Sequence, residues 1–240
     1  MYNLLISLAA GLLVALAIRF GTSVGWIGSV IPGVLAAAIA YVGLNLKGQK
    51  RLSGIIEAAV AEAQARRFDR AIQIAKGALT LKPWLFGVDA AVSALVGQFL
   101  WWKGEQEAAV PYLERAAKAQ WPARVMLAIS RWRKHDVAGM ETIFEETLKG
   151  RGNRKQGLVW CAYAWFLEKE NRHEDAVSVL GRGVIANPTD DKLKSALQSV
   201  QNSKRLKLGK LYLEWYNFGV EPPPQVMPPG FRPGRRATYR

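Results

Sequence analysis

Charged side chains are missing from two long stretches at the start of the chain and spread through everything that follows. Tyr2 to Ile18 is uncharged and rich in Leu and Ala, Arg19 interrupts, and Phe20 to Leu46 is uncharged again until Lys47, Lys50 and Arg51 close the run. A helix needs roughly 20 mainly apolar residues to cross the hydrocarbon of a bilayer, and both runs supply them. The pattern therefore predicts a two-helix transmembrane hairpin over residues 1–46. From Ser53 onward no stretch alternates with a period of two, and apolar positions recur at helical spacing. The expected fold class is all-α: the hairpin, helical repeats over 47–190, a capping helix region over 191–220, and a Pro/Arg-rich disordered tail over 221–240.

Within the hairpin, Gly21, Gly25, Gly28, Ser29 and Gly33 are spaced to let two helices approach closely, because lipid supplies no hydrophobic drive and packing must hold them together. Pro32 is expected to kink the second helix. Ala15-Leu16-Ala17 also fits a signal-peptide cleavage site, yet no Lys or Arg precedes the apolar run, and a second apolar segment would still anchor a cleaved chain. One Arg near the turn stands against Lys47, Lys50, Arg51, Arg66, Arg67 and Arg70 after the second helix. The positive-inside rule then places both termini and the soluble region in the cytoplasm, at the inner (cytoplasmic) membrane.

The soluble region repeats itself at about 34 residues, the period of a helix pair that cannot bury its apolar face alone. The clearest unit is Gly157 to Asp190, with Trp160, Tyr163, Ala164 and Leu167 on a first helix, Ala176 and Leu180 on a second, and Pro188 at the end. Those residues resemble the tetratricopeptide repeat family, in its membrane-anchored bacterial form. Small residues at 164 and 176 let the helices approach, and Trp160, Leu167 and Leu180 fill the space between pairs. Weaker units run from Leu52 to Trp84 (Ala58, Ala59, Ala71, Ala75, Ala78, Pro83), from Ala90 to Trp121 (Val96-Gly97, Leu100, Ala109, Leu113, Ala116) and from Pro122 to Gly152 (Leu127-Ala128, Met140, Phe144, Thr147). The resemblance implies an α-solenoid of about four units.

Departures from the family pattern are a missing aromatic in the first unit, Gly183 where Ala is usual, and a long junction at Gly150 to Arg154. Lys192 to Tyr216 suits a terminal cap with a polar outer face, while Tyr212, Trp215, Tyr216 and Phe218 are alternatively a docking surface. The basic, proline-rich tail reads as inert, as a ligand for a proline-recognising groove, or as a lipid contact.

Catalytic chemistry finds no support. His135 and His173 lack metal-ligand partners at recurring spacing, and His173 falls at the turn between paired helices. Cys161 is alone, so no disulfide or thiolate site forms, and its place beside Trp160 predicts a buried apolar role. No phosphate loop or nucleophile motif occurs, and Glu105, Glu107, Glu145 and Glu146 lack an apolar pocket to tune a proton transfer. Neither an enzyme, a cofactor nor a bound metal is expected.

Formal net charge is +14, and all but Arg19 of that surplus lies outside the hairpin. Such a surface favours acidic protein segments, anionic lipid or nucleic acid. Basic clusters near Arg66, Arg131, Arg151 and Lys204 read as solvated faces beside an anionic membrane, and Trp121 and Trp132 as core rather than base-stacking platforms. What the resemblance implies is scaffolding or recruitment, with a peptide or helix of another protein held in a groove at Arg124, Arg131, Lys155, Tyr163 and Lys194. Two alternatives stand beside it: a membrane-bound nucleic-acid binder, and an accessory subunit of a membrane biosynthetic complex, since bacterial haem-biosynthesis proteins similarly join two membrane helices to such repeats. Homo-oligomerisation through the membrane helices is a further possibility.

Overall fold

The structure is a computed structural model that describes residues 2–22 and 25–222; most of the expected tail, residues 223–240, lies outside the described residues. Helices make up the fold, with no strand among the described residues. Two N-terminal helices, α1 (Tyr2–Gly21) and α2 (Trp26–Gln64), pack side by side. Both are long and apolar enough to cross a membrane.

The hairpin is packed opposite to a water-soluble protein. In α1 the buried residues are Asn3, Ser7 and Gly11, one stripe at four-residue spacing, while Leu12, Leu13, Ile27 and Ile39 of the pair are exposed. Such an arrangement is stable where the surrounding solvent is itself apolar. A Cβ on Gly11 would lie 2.5 Å from the Gly33 carbonyl oxygen, and one on Gly33 would lie 2.7 Å from the Ala15 Cβ. Ser29 and Gly33 thus line the contact as the spacing predicts, but Gly21 and Gly25 face open space and Gly11 supplies the opposite wall.

Helix α2 runs through Pro32 and on for 39 residues, so the change in composition at residues 46 and 47 falls inside one helix. Its second half pairs with α3 (Phe68–Gly77). Three more antiparallel pairs follow: α4 (Val88–Lys103) with α5 (Gln106–Arg115), α6 (Trp121–Arg133) with α7 (Val137–Lys149), and α8 (Gly157–Lys169) with α9 (His173–Ala186). Helix α10 (Asp191–Gln201) packs on α8 and α9. A short α11 (Leu208–Leu211) and a 3₁₀ turn at Leu213–Phe218 complete the described chain.

Local chemistry repeats with the pairs. The helices α2, α4, α6, α8 and α10 each end on a left-handed residue: Arg66, Gly104, His135, Asn171 and Ser203. The next N–H in each case donates to the carbonyl five residues back, at 2.9–3.0 Å, in the hydrogen-bond pattern of a Schellman turn. Ala59, Ala71, Ala109, Ala128, Ala164 and Ala176 are fully buried, so small side chains recur where helices meet. At Gly183 a Cβ would sit 2.9 Å from the Trp160 ring, so the close approach of α8 and α9 there leaves no room for a larger residue.

Candidate peptide-binding face

The first helices of successive pairs lie next to one another, α4 against α6, α6 against α8 and α8 against α10. Across the face shared by α4, α6 and α8 runs the chain's own C-terminal segment. Leu206 and Leu208 are buried, and Tyr212 donates its hydroxyl to Asp190 at 3.2 Å, while the other Asp190 oxygen caps α10. The segment then places Trp215 against Trp165 and Phe166 of α8, with ring centroids 5.4 and 6.1 Å apart. Phe218 packs on Trp215 and on Trp121 of α6. Neither Trp215 nor Phe218 retains more than 2% exposure, so the aromatic pair is part of the core.

Three consecutive backbone carbonyls of this segment are read by side chains from two helices. The Trp102 indole donates to the Asn217 oxygen at 2.9 Å, the Trp101 indole to Phe218 at 3.0 Å, and the Arg133 guanidinium to Gly219 at 3.0 Å. Arg133 also lies over the Trp101 ring, 5.3 Å from its centroid, and bonds Gln106. Burial pushes its pKa down, and no carboxylate pairs with it among the described residues. Gly219 adopts the left-handed conformation and reverses the chain, and Glu221 accepts from the Trp215 indole at 3.0 Å. Beyond this reversal lies a cleft of about 580 Å³, bounded by Arg66, Phe68, Trp101, Trp102, Gln106 and Asn217.

The five residues expected to line a groove lie in different surroundings. Arg124 is buried and pairs with Glu146 of α7 at 2.7 Å, and Tyr163 is buried with its ring stacked on Phe144 of α7 at 5.0 Å. Both are turned into the packing between helices, so the structure does not present them to a partner. Arg131 is half-buried and held by Glu114 at 2.9 Å and Asp136 at 3.7 Å. Lys155 stands exposed in the 3₁₀ turn Asn153–Lys155 rather than on a helix of the shared face. Lys194 lies on α10, 3.3 Å from Asp191.

Sequence reasoning placed Arg133 in a basic surface cluster and gave Trp101 and Trp102 no role. The signal available was the Trp101-Trp102 doublet at the end of a helix, since an indole buried at one end and donating at the other is suited to a peptide carbonyl. Among the described residues no group of three His, Cys, Asp or Glu side chains is disposed to hold a metal. Burial pushes the Cys161 thiol pKa well up, which keeps it protonated.

The chain matches no protein-family model, no curated protein and no solved structure.

Proposed function

We propose that this chain is a membrane-anchored, tetratricopeptide-like scaffold that captures a segment of another protein at the cytoplasmic face of the membrane and performs no catalysis. The hairpin crosses the bilayer twice, and α2 runs on from its second span into the array as one continuous helix. Recurrent helix pairs closed by the same left-handed turn support the solenoid reading. The observation that carries the binding role is the row of donors from Trp102, Trp101 and Arg133 on three successive carbonyls. Carbonyl reading does not depend on side-chain identity, and here it holds the open carbonyl end of the 3₁₀ turn Leu213–Phe218 and the Gly219 that follows.

The partner occupies the cleft beside Gly219, continuing the path that residues 217–219 begin. Arg66 at its edge, Arg133 on the neighbouring Gly219 carbonyl and the overall positive surplus favour an acidic segment. The test is capture from solubilised native membranes on the full chain, after nuclease treatment and through a salt series. Recovery of one protein in stoichiometric amount is expected, with loss in Arg133→Glu and retention in Arg131→Glu. Recovery of nucleic acid or lipid alone, shed as salt rises, would discard the scaffold in favour of a charge-driven surface.

A further inference from the structure

At the other end of the molecule, where the hairpin meets the array, the loop after α3 folds back onto the start of α1. The Tyr2 N–H donates to the Pro83 carbonyl at 2.9 Å, and the Tyr2 and Trp84 rings meet edge to face at 5.3 Å. Between this loop, α1 and α2 opens a cleft of about 230 Å³ lined by Asn3, Leu44, Lys47, Arg51, Leu81 and Trp84.

Asn3 retains only 3% exposure, and its Nδ2 has no hydrogen-bond partner. A buried donor left unsatisfied costs about 1–3 kcal/mol, which a native fold rarely carries without a water, an ion or a ligand to satisfy it. Lys47 and Arg51 are one helical turn apart, and neither is ion-paired among the described residues. The first carboxylate of the chain is Glu57, a further turn and a half along α2. One unpaired amide donor and two free cations form a donor set that fits a phosphate. Leu44, Leu81 and Trp84 supply apolar walls, and Lys47 is the first charge after the apolar run, which sets the cleft at the depth of lipid headgroups.

We propose that this cleft binds the phosphate of an anionic phospholipid, with Lys47 and Arg51 neutralising its charge and the Asn3 amide donating to a phosphate oxygen. A lipid seated there would clamp the loop at Pro83 and Trp84 to the hairpin and fix how the array stands on the membrane. The proposal rests on the hairpin being transmembrane.

The full chain, reconstituted into nanodiscs of phosphatidylcholine with a minority of phosphatidylglycerol, is released into detergent, and its retained lipid is counted by native mass spectrometry. The wild-type chain is expected to keep phosphatidylglycerol over phosphatidylcholine. Lys47→Gln with Arg51→Gln should lower that retention about tenfold, equivalent to roughly 1.4 kcal/mol, and Asn3→Ala by about threefold. Lys50→Gln with Arg70→Gln removes the same charge outside the cleft and should change nothing. Equal retention in every variant, or an equal loss in the control pair, would overturn the site in favour of diffuse surface charge. Displacement of the lipid by millimolar inorganic phosphate would overturn the lipid assignment in favour of a soluble phosphate. A chain that never enters the disc would overturn the transmembrane reading together with the site, whereas insertion without lipid preference overturns the site alone.

Discussion

Individual residues separate folding from recognition. Trp215 is fully buried among Trp165, Phe166 and Phe218, so truncation removes a large apolar side chain and leaves a cavity. Trp215→Ala is expected to cost about 3–5 kcal/mol, read as a lowered denaturation midpoint. Trp102, which is 39% exposed and reaches the segment through one indole donor, should cost far less as Trp102→Phe, about 0.5–1.5 kcal/mol. His135 holds a φ of 60°, a conformation that carries a steric penalty for any side chain with a Cβ. His135→Gly should therefore stabilise the chain by about 0.5–1 kcal/mol in the same assay, since Gly already occupies the equivalent turn at 104.

Elements are held by two different physical means. In the paired helices of the array, aliphatic and aromatic side chains leave water. In the hairpin the apolar residues stay outside and the helices meet through Gly11, Ala15, Gly33 and Ala37. Gly11→Leu would drive a side chain into the Gly33 backbone, so it should separate α1 from α2. A cysteine pair placed across that contact would then cross-link in the parent and not in the variant, while the helicity of the array stays unchanged. The composition of the hairpin was legible because small residues at helical spacing imply close approach. Which glycines touch was not, because the rotation of each helix about its axis is set only when the two pack.

Over the whole molecule, ion pairs join helices both within a pair and between successive pairs. Glu146 of α7 meets Arg124 of α6 at 2.7 Å and Lys118 at 3.4 Å. Lys118 first, then Arg124, hold its carboxyl below the usual carboxylate range. A folded-state pKa below the unfolded one contributes stability that is present above the unfolded value and is lost as pH falls through the folded value. The thermal midpoint should therefore drop on acidification from about pH 5 downward, and Glu146→Gln should flatten part of that drop while leaving the array folded. A variant with the same pH slope as the parent would show that another carboxylate governs it. Arg172, just before α9, pairs with Glu141 of α7, and Arg182 of α9 pairs with Glu145 of α7, so the third and fourth pairs are linked by charge as well as by packing.

Sequence alone determined what depends on neighbours along the chain: two apolar spans, helices in place of strands and the recurrence of small residues at helical spacing. Those features follow from local periodicity, which the backbone reads residue by residue. Tertiary structure decided which polar groups serve the inner face. Arg131 and Arg133 are two residues apart, a rotation of roughly 200° about the helix, and only packing determined that Arg133 meets the peptide carbonyls while Arg131 pairs with Glu114. Arg124 and Tyr163 fit a groove by spacing and were drawn instead into the contact with α7. The return of residues 212–221 across α8, α6 and α4 joins positions more than a hundred residues apart, and no local pattern encodes so distant a partner.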